Sequence, residues 1–273
     1  MDPVELEEYE LDAILGLINQ VHGYDFHQYA RASIKRRIRD IAVNNGYAYI
    51  SQLMPDILYK ADFLNQFLKG MSVTVTGMFR DPWVFAELRQ AVLPKLSIFP
   101  QINIWHVGCA TGEEVYSMVI LLKELGLLEQ AQIYATDFNN HSLEIAKKGI
   151  YSLDRMKDFT RNYQAAGGSG SFSDYYQVKY DSAKLDDSLK SHIIFSNHNL
   201  VTDTVFGEMN LVICRNVLIY FNQTLQNRAL RLFRDSLSPK GFLVLGDKES
   251  ITFSEVSNDF DTFSGKEKIY RMK

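Results

Sequence analysis

At 273 residues, 46% hydrophobic and 23% charged, the chain has enough apolar content for a real core and the length of one large domain plus a small one. A net charge of −4 gives no global positive field for nucleic acid or an anionic membrane, and no apolar run approaches the ~20 residues that span a bilayer. The acidic opening (Glu5, Glu7, Glu8, Glu10) is unlike a targeting segment, and two cysteines, Cys109 and Cys214, are too few for a disulfide framework, so a cytoplasmic protein is expected.

Residues 1–70 read as an all-helical domain. Leu11, Ile14, Leu15 and Ile18 recur at helical spacing. Gly23 breaks that pattern before a basic helix spanning about 28–44. Two further amphipathic stretches, 47–53 and 56–68, are divided by Pro55. On the basic helix Arg31, Lys35 and Arg39 are spaced to share one face. That stripe is either a docking surface for an acidic helical partner or a solvated helix face. Gly70 and the β-branched run from Ser72 to Gly77 mark the passage into a second domain, 71–273.

From Ile102 onward apolar runs alternate with helical stretches. Strands are predicted at 102–107, 132–136, 193–196, 211–214 and 241–246, and helices at 113–125, 142–147 and 224–237, with a turn at Ser238-Pro-Lys-Gly241. This is the pattern of a doubly wound α/β fold with a parallel sheet. Between about 155 and 192 the alternation is interrupted. Ala165 to Ser173 is small, polar and flexible in composition, and Tyr175 to Tyr180 has strand character. A strand–loop–strand insertion resting on the main sheet, or a surface loop, fits here.

The richest chemistry lies in Gly108-Cys-Ala-Thr-Gly-Glu-Glu114, which joins an apolar strand to an amphipathic helix. Gly108 and Gly112 let the backbone approach a ligand closely. A phosphate loop would place Lys or more Gly where this one places Glu113 and Glu114. Carboxylates there suit a cofactor presenting a cation or an amino group, and S-adenosylmethionine carries both; an acidic first turn that caps the helix is the alternative. Asp137, 29 positions beyond Gly108, ends the second strand, where an acid accepts hydrogen bonds from a ribose diol or caps the next helix.

Thr74-Val-Thr-Gly-Met-Phe-Arg-Asp81, Gly108 to Glu114, Ala135-Thr-Asp137, Asn199-Leu200 and Cys214-Arg-Asn-Val-Leu-Ile-Tyr-Phe221 occur in that order. Together they closely resemble the chemotaxis receptor methyltransferases (CheR-type), which methylate glutamates of bacterial chemoreceptors. The likeness runs from about Tyr24 to the C-terminus. It implies a helical N-terminal domain and a Rossmann-like class I methyltransferase domain, with the tail from Phe263 to Arg271 supplying an extra edge strand. It also implies that the insertion is a small antiparallel subdomain, which in some members docks the receptor's C-terminal peptide.

By the same resemblance Thr74, Thr76, Arg80, Glu113, Asp137, Asn199, Leu200, Arg215 and Asn216 are expected to bind the cofactor, and Arg80 and Tyr220 to position the reacting groups. Thr74 departs from the family, many of whose members carry Asn there. Arg80 suits either the methionyl carboxylate or the incoming glutamate, or else an ion pair with Asp81. Glutamate is ionised at neutral pH, its reference pKa being near ~4.3, so no strong general base is required, and none can be made out. Nor do the histidines group with the cysteines at metal-ligand spacing. The expected substrate is the cytoplasmic helical region of a chemoreceptor, with no nucleic acid and no membrane insertion. A methyltransferase of the same fold with another substrate, and a non-catalytic cofactor-binding module, are the alternatives.

Overall fold

The computed structural model describes residues 2–71 and 76–273. These form two compact units: Met1–Val73 with Ile219–Arg228, and Thr74–Leu218 with Ala229–Lys273. The expected break after residue 70 falls one residue short of a helix end, and the membership of Ile219–Arg228 in the first unit had no sequence signal.

In the first unit, α1 (Pro3–His22) opens on Asp2, whose side chain accepts from the Val4 N–H, and closes on left-handed Gly23 at φ 76°. The basic helix α2 (Arg31–Asn44) buries Ile34, Ile38, Ile41 and Ala42. It begins later than expected, because a turn at 27–28 and the bridging Tyr29 precede it, and residues 28–30 pair with residues 220–222. Tyr29 and Phe221 form an antiparallel bridge, the Asn222 N–H donates to Gln28 O at 2.9 Å, and the Ala30 N–H donates to Tyr220 O at 2.7 Å. Pro55 stands where the two expected stretches meet, just after a 3-10 turn at Ile50–Leu53, and the second stretch is itself broken. It sits in the first turn of α3 (Met54–Tyr59), where its missing N–H costs nothing. The break is at Lys60, which is extended, and α4 (Ala61–Met71) then buries Phe63, Phe67, Leu68 and Met71.

The second unit begins with α5 (Pro82–Glu87), a π turn at 88–92 and α6 (Leu93–Leu96). The alternation then runs β1 (Ile102–Val107), α7 (Glu113–Glu124), β2 (Ala131–Asp137) and α8 (Asn140–Lys148). The insertion follows, with β3 (Ile150–Ser152), α9 (Met156–Ala165), β4 (Tyr176–Lys179) and β5 (Ser182–Leu185). The main sheet resumes with β6 (Ile193–Asn197), β7 (Met209–Cys214), α10 (Gln223–Ser236), β8 (Leu237–Leu245), β9 (Phe260–Ser264) and β10 (Ile269–Met272).

Seven strands lie in the order β6-β2-β1-β7-β8-β10-β9, the first five parallel and the last two antiparallel. The tail therefore forms a hairpin rather than a single edge strand. β10 pairs with β8, and β9 takes the edge. Ser238 to Gly241 is not a turn before β8 but a bulge inside it, with Lys240 at φ 64°. β7 is buried on both faces, Asn210 included, as a central parallel strand must be.

The insertion's three strands form their own antiparallel sheet, β3-β5-β4. The glycine-rich segment between α9 and β4 is held by hydrogen bonds, whatever its composition suggests. Glu124, buried on α7, accepts from the Ser169 N–H at 3.2 Å and the Tyr175 hydroxyl at 3.0 Å, and also from Arg89 and Tyr163. The Gly170 N–H donates to the Tyr163 hydroxyl at 2.9 Å.

Candidate active site

β1 lies between β2 and β7, so the chain winds outward in one direction through β2 and β6 and in the other through β7 and β8. Ligands of such sheets sit outside the carboxyl ends of the strands at this reversal. After β1 the backbone turns through three left-handed residues, Gly108 (φ 65°), Ala110 (φ 48°) and Gly112 (φ 89°). A Cβ at Gly108 would lie 2.6 Å from Val217 Cγ2, which follows β7. Only glycine permits that approach of the two loops.

Asp137 fixes the turn from the end of β2. Its carboxylate accepts the Ala110 N–H and the Asn139 N–H, each at 2.9 Å. Burial pushes its pKa above the ordinary value, against the pull of those backbone N–H groups. Asn139, rather than Asp137, caps α8.

Glu113 opens α7 and is fully buried. One oxygen accepts the Thr111 hydroxyl at 2.6 Å and the other an Arg155 N–H at 2.6 Å. Arg155 also donates to the Thr76 carbonyl, and its guanidinium lies 4.8 Å from the centre of the Phe159 ring. The segment carrying Arg80 is tied to the same turn. The Phe79 N–H donates to Ser117 Oγ at 2.8 Å, and that hydroxyl donates to Glu113 O at 2.7 Å.

Glu114 does not lie idle on the helix surface. It accepts Arg215 at 2.8 Å and faces His106 Nδ1 at 3.3 Å. Burial raises its pKa, but the Arg215 charge and the His106 contact outweigh burial and leave it below the ordinary value. Arg215 also donates to the Asp81 carboxylate at 2.5 Å and the Arg80 carbonyl at 3.2 Å. Its side chain is 2% exposed, so the guanidinium expected at the cofactor is committed to protein partners. The Arg80 side chain is 43% exposed and only 4.0 Å from Asp81, so its pair with Asp81 is loose. Among the described residues, four of the seven non-glycine residues with positive φ stand here: Phe79, Asp81, Ala110 and Asn216. Such conformations collect where a site over-determines its backbone.

Asn216 is held through its backbone. Glu249 accepts the N–H groups of Asn216, Val217 and Gly246 at 3.0, 2.8 and 2.6 Å. Asn199 builds a local turn, its side chain accepting the Val201 N–H at 3.0 Å and its own N–H donating to Asp203 at 2.8 Å. Leu200 is buried beside it. Thr74 lies outside the described residues.

Tyr220 belongs to the first unit. The Arg37 guanidinium stands 4.4 Å from its ring centre and donates to Met71 O; burial draws the Arg37 pKa below its ordinary value. The stripe expected to dock substrate is already neutralised by α1. Arg31 pairs with Glu8 (2.9 Å) and Asp12 (2.5 Å), Lys35 with Glu7 (3.1 Å) and Glu8 (2.5 Å), and Arg39 with Glu7.

Sequence reasoning missed Arg155, Glu249 and Arg37 and gave Asp81 only a minor part. Asp81 stands in a matched block, which was signal enough; the other three carry no local pattern. No group of three or more His, Cys, Asp or Glu among the described residues is placed to hold a metal.

A parallel sheet with a close glycine turn after β1, an acid at the end of β2 and a further crossing segment over the first turn of α7 is the framework of a class I methyltransferase. A model of the CheR methyltransferase SAM-binding domain matches residues 74–269. The chain belongs to the CheR methyltransferase family, and its cofactor is S-adenosylmethionine. It is 46% identical to Cher3 of Pseudomonas putida over 97% of both chains. It is 27% identical to the chemotaxis protein methyltransferase of Listeria innocua over 84% of this chain and 85% of that one. With chemotaxis protein methyltransferase 1 of Vibrio cholerae the identity is 28% over 80% and 81%. No helix among the described residues is long and apolar enough to cross a membrane.

Proposed function

We propose that this chain esterifies glutamate side chains in the cytoplasmic helical region of a chemoreceptor, using the methyl group of S-adenosylmethionine. The residues fit that cofactor. Glu113 and Asp137 are acceptors for an ammonium group and a ribose diol, and the glycine turn that precedes Glu113 is anchored on Asp137 through the Ala110 N–H. When bound, the cofactor supplies an electrophilic methyl on a sulfonium centre.

The chain's own task is alignment and exclusion of water around a carboxylate that is already ionised. Asp137 is assigned to the ribose hydroxyls, and Asn199 and Leu200 to the adenine edge. Thr74, Thr76 and the backbone of Arg215 and Asn216 complete the cofactor site. Arg80 and Tyr220 are assigned to the substrate carboxylate, Arg80 by its fixed fork of donors and Tyr220 by its phenol. Arg31, Lys35 and Arg39 would contact the receptor only by exchanging pairs with Glu7, Glu8 and Asp12 for pairs with the partner. A receptor's C-terminal peptide would add a strand along β4, which is bonded on one side only, to β5.

The observation that carries this reading is the double tie of the Thr76-to-Arg80 segment to the first turn of α7, through Ser117 and through Arg155. It brings a half-exposed guanidinium to the carboxyl ends of the strands. Transfer of labelled methyl from S-adenosylmethionine to receptor cytoplasmic fragments is the test, with alkali-labile ester on glutamate as the expected product. Label appearing only on small carboxylates or nucleic acid would move the chain to another substrate class. Binding without any transfer would make it a signalling module.

A further inference from the structure

The amino-acid end of S-adenosylmethionine is a zwitterion. Its ammonium and carboxylate hang from one carbon, so a site that recognises both must hold an acid and a base side by side. Glu113 supplies the acid. The base beside it is Arg155, 2.6 Å away. Arg155 comes from the turn that leads into α9, 42 positions along the chain.

Three contacts fix the Arg155 guanidinium: the Glu113 carboxylate, the Thr76 carbonyl and the face of Phe159. Two of these partners, Thr76 and Glu113, are the residues that separate sequence blocks assign to the cofactor. One unassigned guanidinium joins them. Its side chain remains 39% exposed while that of Glu113 is fully buried, so the pair presents its cationic member outward. Guanidinium has five N–H donors in a rigid fork, and donors beyond those bonded to Glu113 and Thr76 are left for a carboxylate.

We propose that Arg155 is a cofactor-binding residue, which receives the carboxylate of S-adenosylmethionine while Glu113 receives the ammonium. The inference rests on the reading of Thr76 and Glu113 as cofactor residues. It gives the methionyl carboxylate, one of the two roles expected of Arg80, to Arg155.

Calorimetry on the full chain tests this with two ligands, S-adenosylhomocysteine and its decarboxylated analogue, which keeps the ammonium and loses only the carboxylate. The wild-type chain should prefer S-adenosylhomocysteine by about tenfold or more, the value of a charge-assisted hydrogen bond. In Arg155→Met that preference should collapse toward unity, and Arg155→Lys should recover part of it. A preference that survives in Arg155→Met, or that wild type never shows, would reduce the pair to a structural salt bridge and overturn the proposal. Should Arg155→Met fail to melt cooperatively, Arg155→Lys decides alone: a preference equal to that of wild type overturns it. Failure of wild type to bind either ligand would instead remove the cofactor assignment of Glu113 itself.

Discussion

On the faces of α1 and α2 three cations, Arg31, Lys35 and Arg39, meet three carboxylates, Glu7, Glu8 and Asp12, in contact with solvent. At the carboxyl ends of β1 and β7, Glu114, Arg215 and Asp81 make the same kind of pairs around a guanidinium that is 2% exposed. The outer ladder gains little, because water and salt screen it and its long side chains lose freedom. In the inner network the buried Arg215 guanidinium is expensive to desolvate and tolerable only because Glu114 and Asp81 are in place. The ladder decorates two helices. The inner network fixes the backbone on either side of Arg80.

Removing the centre of the inner network gives the largest expected effect. Arg215→Met strands Glu114 and Asp81 without their cation, and urea denaturation should show a loss of about 3–5 kcal/mol. A change indistinguishable from a surface substitution would mean that water replaces the guanidinium freely.

Smaller, and read in binding rather than folding, is Asp137→Ala. It should weaken S-adenosylhomocysteine affinity by about 1–3 kcal/mol, as buried hydroxyls lose a charged acceptor and the Ala110 turn loses its anchor. Calorimetry that returns the wild-type affinity would place the ribose elsewhere. Tyr220→Phe separates positioning from binding: turnover on receptor should fall while cofactor affinity stays near wild type. Full turnover would take Tyr220 out of the reaction.

The two networks should also part in acid. Glu114 has a folded pKa below its unfolded value of 4.5. Its contribution is therefore present above that value and is lost as pH falls through the folded one. Glu7, Glu8 and Asp12 are lowered too, each chiefly by its partner, Arg39, Lys35 and Arg31 respectively, so they carry the same sign. Salt tells them apart, since screening reaches ~10 Å at 0.1 M for exposed charges and far less for buried ones. Glu114→Gln should flatten the acid limb of the stability curve at low and high salt alike. An acid limb that salt erases completely would assign it to the ladder.

The smallest effect is expected from reversing Arg31, Lys35 and Arg39 together. KM for receptor should rise modestly at low salt and match wild type at high salt, with cofactor affinity unchanged. A large, salt-independent rise would show that the stripe docks substrate despite its internal partners.

How much of this was legible follows the range of each interaction. The strands β1, β2 and β7 announce themselves as apolar runs because the middle of a parallel sheet is covered on both faces. The glycine turn and Asp137 stand at strand ends, where local spacing suffices. Arg155 meets Glu113 across 42 positions, and Arg37 lies under Tyr220 from a helix far earlier in the sequence. No periodicity registers such pairs. Errors fell where one residue type serves two structures. The glycine-rich segment reads as flexible from its composition, yet Glu124 and Tyr163 accept its amides. The short tail strands carry too few residues to declare a hairpin.

The bridge between Tyr29 and Phe221 bears on how the chain is made. The first unit needs residues 219–228 to complete the pairing of residues 28–30, yet the 188 residues from 31 to 218 are synthesised in between. At about 5–20 residues per second those early donors and acceptors wait on the order of ten seconds for their partners. A segment made early in the chain is thus among the last parts of the molecule to be finished.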